Sequence, residues 1–198
     1  GDFAEKFSIQ IISKVFALSF VYEKLDEKLW KRVDVEPSGS AFNSLVQLEA
    51  DCGIPRNPFI NAGALVICDI LLEICNNPKQ ELIQFIRDLT GDQQIFFNEK
   101  VAASELQNSF RNAAMCNFMK SFGNIKSQPD AVIELYCHLC SIEMTCKQLS
   151  MSFLYLANLG KTPSNDLQIL SSSKAKRLNA ILLTCGFYDE SGEFSFRV

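Results

Sequence analysis

Residues 62–75 constrain the fold most, because this segment is apolar on nearly every side. The run Ala62-Gly63-Ala64-Leu65-Val66-Ile67-Cys68 is interrupted only by Asp69 before apolar residues resume. Asn61 precedes the segment and Asn76-Asn77-Pro78 follows it, a composition typical of a helix end. A helix that is apolar all round is stable only when it is buried. The sequence therefore predicts a fully buried helix over 62–75.

Helical periodicity also dominates the rest of the chain. Leu18, Val21 and Leu25 follow the i, i+3, i+7 pattern and predict a first helix over 10–28. Further helices are predicted over 80–89, in one or two pieces over 98–122, from Pro129 through Tyr136, over 147–159 with Thr145 as the cap, and over 174–183. A loop is predicted over 34–43, and alternating apolar and polar residues predict a strand over 193–198.

Composition narrows the functional classes. A length of 198 residues with 47% apolar residues favours a single domain over 1–198 with a sizeable core. The net charge of −4 argues against a nucleic-acid partner. No run of 18 apolar residues is present, so no membrane span is expected, and the apolar stretch 11–21 is interpreted as a core helix.

Eight cysteines lie mostly within apolar helical patterns, which favours reduced thiols and a cytoplasmic location. The segment Cys137-His138-Leu139-Cys140 holds the only histidine between two cysteines. A zinc site would need a second pair of ligands, and only Cys146 is close in sequence. Burial within a helix is therefore favoured over a metal or redox site, and no metal or cofactor is expected.

One position departs from a recognisable catalytic spacing. Residues 7–16 would contain Ser-x-x-Lys if Ile11 were serine, because Lys14 lies three residues later. On a helix this spacing places a hydroxyl and an amine on one face, where the lysine can accept the proton of the serine. Ser13 is adjacent to Lys14 and points to another side of the helix, while Ser8 lies upstream of it. Neither serine offers the required geometry.

The motifs around this position occur in a characteristic order. Gly1-Asp2-Phe3 is followed by Glu36-Pro37-Ser38-Gly39, Phe42-Asn43 and Arg56-Asn57-Pro58-Phe59-Ile60-Asn61-Ala62-Gly63-Ala64. Later come Ser104-Glu105, Arg111-Asn112, Tyr136, Leu139-Cys140-Ser141-Ile142-Glu143, Cys185-Gly186-Phe187-Tyr188-Asp189 and Ser191-Gly192-Glu193-Phe194. In these motifs the chain resembles the serine-dependent glutaminases along essentially its whole length.

The resemblance implies a fold and a site. The fold would be the helical core of an α+β fold like that of the serine β-lactamases and penicillin-binding proteins, with most of the sheet missing and the family domain only partial. Ile11 matches the nucleophilic serine, Lys14 its activating lysine, and Tyr188 a nearby tyrosine that can relay a proton. The positions that match substrate-binding residues are Asn61, Glu105, Asn112, Tyr136 and Tyr188.

The same resemblance implies L-glutamine as the substrate and a homo-oligomer, either a dimer or a tetramer. The family hydrolyses L-glutamine to L-glutamate and ammonia through an acyl-enzyme, and we expect this activity to be impaired by Ile11. Two alternatives remain. One is an inactive pseudoenzyme that binds glutamine, glutamate or a protein partner, and the other is a non-functional remnant. An uncovered apolar surface is also expected if the sheet is incomplete.

Overall fold

The structure, a computed structural model, describes residues 1–39, 44–163 and 166–198. In these ranges it forms eleven α-helices: α1 Ser13–Leu25, α2 Leu45–Ala50, α3 Asn61–Ile74, α4 Pro78–Thr90, α5 Glu99–Gln107, α6 Phe110–Ser121, α7 Pro129–Cys140, α8 Cys146–Ser152, α9 Leu154–Ala157, α10 Ser172–Cys185 and α11 Ser191–Arg197. Short 3₁₀ turns cover Gln10–Ile12, Asp26–Lys31 and Tyr188–Glu190. The chain is therefore predominantly helical, as expected.

A small antiparallel sheet joins three very short strands. These strands are β1 Phe7–Ser8, β2 Phe96–Phe97 and β3 Ile142–Met144, in the order β1-β3-β2. Ser8 pairs with Glu143 on one side of β3, and Phe96 pairs with the same residue on the other side. The sheet holds the segment before α1 against the end of α7. None of these strands was predicted.

Helix α3 lies in the core and packs against α1, α6 and α7. Its residues from Ala62 to Leu71 are all buried, which confirms the prediction of a fully buried helix. Asp69 is the polar exception. Its carboxylate forms an ion pair with Arg32 and accepts the backbone N–H groups of Lys126 and Ser127, at 3.0 and 2.7 Å. These partners compensate the burial of its charge.

Helix ends follow the local sequence chemistry. Asn77 accepts the N–H of Gln80 just before Pro78, which occupies the first turn of α4. Thr145 and Gln148 form the predicted cap as a reciprocal capping box on α8. Asp26 has a left-handed φ of 53° and ends α1 at Leu25, so the predicted helix over 10–28 is split into a helix between two 3₁₀ turns.

Two further predictions need correction. The helix predicted over 147–159 is divided at Phe153 into α8 and α9. The strand predicted over 193–198 is wrong, because Ser191–Arg197 forms α11. A strand needs a neighbour for its backbone N–H and C=O groups, whereas a helix satisfies them within the segment. The apolar residues of the alternating pattern remain exposed, with Phe196 at 91% and Val198 at 90%.

Candidate active site around Lys14

Lys14 is a buried lysine near the start of α1, with only 5% of its surface exposed. Its ammonium donates to the backbone oxygen of Phe59 at 2.7 Å and to Oδ1 of Asn61 at 2.9 Å. Burial lowers the pKa of Lys14 from 10.5 to about 8, while the nearby thiols of Cys140 and Cys68 act in the opposite direction. At neutral pH roughly a tenth of such amines is uncharged and able to accept a proton.

Asn61 connects four helices through its side-chain amide. It is the first residue of α3, and its Oδ1 accepts from Lys14 of α1 and, at 3.4 Å, from the hydroxyl of Tyr136 of α7. Its Nδ2 donates to Oδ1 of Asn112 of α6 at 3.2 Å. Four residues that are far apart in sequence are therefore held in one hydrogen-bonded network.

Two tyrosines lie near Lys14: Tyr136 belongs to the network, and Tyr188 lies beside it. Burial holds the pKa of the Tyr136 phenol well above its usual range, so Tyr136 keeps its proton and acts as a donor. The ring of Tyr188 lies 5.7 Å from the Lys14 ammonium, within the range of a cation–π contact. Burial also raises the pKa of Tyr188. Tyr188 has a left-handed backbone with φ of 55°, which is uncommon for a residue other than glycine.

Ile11 lies in the 3₁₀ turn Gln10–Ile12 with 42% of its surface exposed. The residue before it, Gln10, also has a left-handed φ, of 49°. Residues with such a backbone can occur at active sites, and two of the residues with positive φ lie in this region: Gln10, which precedes Ile11, and Tyr188, whose ring lies beside Lys14.

The two nearby serines are both committed to the backbone. The Ser13 hydroxyl donates to the backbone oxygen of Gln10 at 2.8 Å, and the Ser8 hydroxyl donates to that of Cys140 at 2.6 Å. Ser8 belongs to β1, upstream of the helix, as the sequence indicated. Neither hydroxyl makes the hydrogen bond to Lys14 that activation would use.

Glu105, a predicted binding residue, makes no hydrogen bond to the network of Lys14, Asn61, Asn112 and Tyr136. It is half-buried on α5, a helix that packs against α7, and its charge raises the pKa of the Cys137 and Cys140 thiols after the larger effect of burial. Within residues 1–39, 44–163 and 166–198 its carboxylate makes no hydrogen bond or ion pair. A half-buried carboxylate of this kind can receive a cationic ligand group.

Sequence reasoning missed two contributors. The backbone oxygen of Phe59 is the closest hydrogen-bond partner of Lys14, and Asn57 orients that part of the chain by accepting two backbone N–H groups. The Asn57-Pro58 pair just before a predicted helix was the sequence feature that could have indicated this turn.

Of the matched motifs, Phe42-Asn43 lies outside the described residues. In the part of the chain that is described, no group of three or more His, Cys, Asp or Glu side chains is arranged to hold a metal.

Comparison with known proteins gives the family. A family profile described as Glutaminase matches residues 1–198. The chain belongs to the glutaminase family. A glutaminase of Christiangramia forsetii is 54% identical over 198 residues, which cover 100% of this chain and 65% of that protein. A glutaminase of Saccharophagus degradans is 52% identical over 198 residues, again 100% of this chain, and 64% of that protein is covered.

Solved structures of the glutaminase family share the fold. The crystal structure of a probable glutaminase of Bacillus subtilis matches with a TM-score of 0.89 and 33% identity, covering 98% of this chain and 63% of that one. The described residues therefore form the helical core of the serine β-lactamase-like fold. The chain spans just under two thirds of the length of these relatives. No helix in the described ranges is long and apolar enough to cross a membrane.

Proposed function

We propose that this glutaminase-family domain is built for hydrolysis of L-glutamine to L-glutamate and ammonia, and that Ile11 impairs the reaction in this chain. The observation that supports the proposal most is the buried Lys14, which donates to Phe59 and Asn61 three residues after Ile11. Burying an ammonium without a carboxylate partner lowers stability, so a lysine kept in this position indicates a functional role. The matched family supplies that function, because glutamine hydrolysis by an activated serine needs such an amine.

The proposed chemistry needs an attacking atom that has a lone pair and can give up its proton to a base. In the intact family the serine at this position would lose its proton to the neutral form of Lys14 and attack the side-chain amide carbon of glutamine. Ammonia would leave, and water would hydrolyse the acyl-enzyme to glutamate. Tyr188, with its ring next to Lys14, is proposed to relay a proton during these steps. The side chain of Ile11 has neither a lone pair nor an acidic proton, so no acyl-enzyme forms.

The remaining residues are proposed to hold the amino-acid part of the substrate. Glu105 would pair with the α-ammonium group, because its carboxylate has no cationic partner in the described residues. Asn61, Asn112 and Tyr136 would donate hydrogen bonds to the α-carboxylate, since amides and a protonated phenol donate without adding charge. We also propose a single, partial family domain over 1–198, a cytoplasmic location because the cysteines are free thiols, and, by the family resemblance, a homo-oligomeric assembly.

A second function follows from the same observations. The network of Lys14, Asn61, Asn112 and Tyr136 is continuous although the nucleophile is replaced by Ile11. This combination favours a pseudoenzyme that binds glutamine or glutamate without cleaving it. A non-functional remnant would bind neither amino acid.

Calorimetry with L-glutamate distinguishes these functions. Residues 1–198 would replace the matched segment of the Christiangramia forsetii glutaminase, which supplies the remaining third of that protein. Glu105→Gln keeps the shape, removes the charge and should weaken binding about tenfold to a hundredfold, as expected for a charge-assisted hydrogen bond. The matched control is Glu99→Gln, because Glu99 is a carboxylate on the same helix that is 77% exposed. The affinity of this variant for L-glutamate should stay unchanged.

Lys14→Met should reduce the affinity less than Glu105→Gln, because Lys14 is assigned to the chemical step. Loss of binding in Lys14→Met with no effect of Glu105→Gln would reverse these two assignments. Failure of the unaltered chimera to bind either amino acid would favour the remnant over the binding module.

A further inference from the structure

The short segment between Asn57 and Gly63 carries both hydrogen-bond partners of Lys14. Phe59 provides a backbone oxygen and Asn61 a side-chain oxygen, and the two residues are separated only by Ile60. Whatever fixes this segment therefore fixes the surroundings of the ammonium. Asn57, which is 1% exposed and received no role from the family motifs, accepts two backbone N–H groups of this segment.

Both polar atoms of the Asn57 side-chain amide form hydrogen bonds to the backbone. Its Oδ1 accepts the backbone N–H of Phe59 at 3.0 Å and that of Ile60 at 3.1 Å. Its Nδ2 donates to the backbone oxygen of Glu36 at 3.0 Å, which ties the segment to a distant loop. Ile60 precedes the first residue of α3 and has no side-chain cap hydrogen bond, so Asn57 satisfies the Ile60 N–H at the helix start and the Phe59 N–H just before it.

The peptide between Phe59 and Ile60 is held at both ends. In a trans peptide the C=O of one residue and the N–H of the next point in opposite directions within one plane. Here the N–H end of that peptide meets Asn57, and the C=O end meets the Lys14 ammonium at 2.7 Å. Hydrogen bonds linked through one peptide polarise each other, so the bond that Asn57 accepts from the Ile60 N–H strengthens the Phe59 oxygen as the acceptor that faces Lys14.

Gly63 fixes how closely this turn approaches α3. A Cβ at position 63 would lie 2.0 Å from the backbone oxygen of Asn57 and 2.8 Å from Cα of Pro58. Only glycine allows this contact without moving the turn. The turn is thus fixed by its side-chain amide on one side and by the helix surface on the other.

We propose that Asn57 is a positioning residue of the active site, which acts by orienting the Phe59–Ile60 peptide so that its carbonyl oxygen binds the Lys14 ammonium. The inference rests on the proposed function only in so far as Lys14 is taken to be the base of the active site. The titratable side chains around Lys14 in the described residues are Cys68 of α3, Cys140 of α7 and Tyr188, with Tyr136 of α7 bonded to the neighbouring Asn61, while the hydrogen bonds of Asn57 go to the backbone of Glu36, Phe59 and Ile60.

The test is the pH profile of Lys14 acetylation in the protein, measured by trace labelling with acetic anhydride and mass spectrometry of the Lys14 peptide. Asn57→Ala removes the acceptor that orients the peptide, so the ammonium loses part of its stabilisation. The pKa of Lys14 should fall by about one unit, which raises the reactive fraction at pH 7 several-fold. Asn57→Asp keeps the acceptor and adds a negative charge one peptide away, so the pKa should rise instead.

Asn98→Ala is the matched control. The Oδ1 of Asn98 also accepts two backbone N–H groups, from Lys100 and Val101, and its Nδ2 donates to Glu143. Its loss removes an equivalent cap at α5 and should leave the Lys14 profile unchanged.

Opposite shifts in Asn57→Ala and Asn57→Asp, with none in Asn98→Ala, would support the proposal. If Asn57→Ala does not fold, Asn57→Asp and Asn57→Ser decide, because a serine hydroxyl can accept from the same backbone groups and should keep the profile close to that of the unaltered chain. An unchanged profile in folded Asn57→Ala, or shifts of the same sign in the Ala and Asp variants, would overturn it. None of these readouts requires glutamine turnover, so they remain valid if the proposed function fails.

Discussion

Replacing Lys14 by methionine should make the stability of the protein less dependent on pH in the alkaline range. The folded protein lowers the pKa of Lys14 from 10.5 to about 8, so between these values the unfolded chain binds more protons than the folded one. Stability therefore rises with pH in this window, and the penalty of the buried charge is fully present below pH 8. One pKa unit corresponds to about 1.4 kcal/mol, which makes the whole penalty about 3 kcal/mol.

Methionine has a similar length and carries no charge, so Lys14→Met lacks this penalty at every pH. It also leaves the backbone oxygen of Phe59 without its donor, at a cost of about 1–3 kcal/mol that does not depend on pH, whereas Asn61 keeps the Tyr136 hydroxyl as a donor. The net change at pH 7 combines both effects. The diagnostic quantity is the pH dependence: the free energy of unfolding of Lys14→Met minus that of the unaltered chain should fall by about 2.5 kcal/mol from pH 7 to pH 10.

Urea unfolding followed by circular dichroism at pH 7, 8, 9 and 10 measures this difference, with reductant present because all eight cysteines are free thiols. Lys120→Met is the matched control, because that ammonium also donates to two backbone oxygens, of Lys126 and Ser127, from a half-buried position. Lys120→Met therefore measures the effect on stability of losing a hydrogen-bonded lysine that is less buried than Lys14. A difference for Lys14→Met that stays constant from pH 7 to pH 10 would refute the link between its burial and its pKa.

Two further changes test the packing that supports the site. Gly63→Ala places a Cβ 2.0 Å from the backbone oxygen of Asn57, and it should lower the free energy of unfolding by at least about 1–3 kcal/mol in urea titrations, whereas a tolerated alanine would show that the turn can move. Asp69→Ala leaves Arg32 without its buried partner and should cost about 3–5 kcal/mol in the same assay, and a loss below 1 kcal/mol would show that Glu73 alone suffices.

The elements that the sequence predicted correctly are those whose state depends on their own residues. Helix α3 is apolar on every side and has no stable alternative to burial, so its prediction needed no neighbours. The segment 193–198 behaves differently, because its alternating pattern describes a strand only when another strand lies beside it. The strands β1 and β2 have two residues each, too few for any periodicity to be recognised.

The site divides in the same way. Five site residues were predicted from the order of motifs, and the structure brings their side chains together: Lys14, Asn61, Asn112, Tyr136 and Tyr188. The sequence could not predict that the backbone carbonyl of Phe59 points at the Lys14 ammonium.

That direction depends on contacts distant in sequence. The Phe59 oxygen faces Lys14, 45 residues away, while Asn57 bonds the backbone of Glu36, 21 residues away. The neighbourhood of the buried thiols of Cys68 and Cys140 likewise arises only when α3 and α7 pack together.

The most direct test of the account is ammonia release from L-glutamine by the chimera that carries residues 1–198, compared with its Ile11→Ser variant. Removal of the nucleophile of a serine hydrolase can cost roughly 10⁶-fold in turnover, so the chimera with Ile11 should release no ammonia above background. Ile11→Ser should restore release, and Ile11→Ser combined with Lys14→Met should abolish it again. Robust release with Ile11 in place, surviving Ser13→Ala, would contradict the account, because the nucleophile would then lie elsewhere.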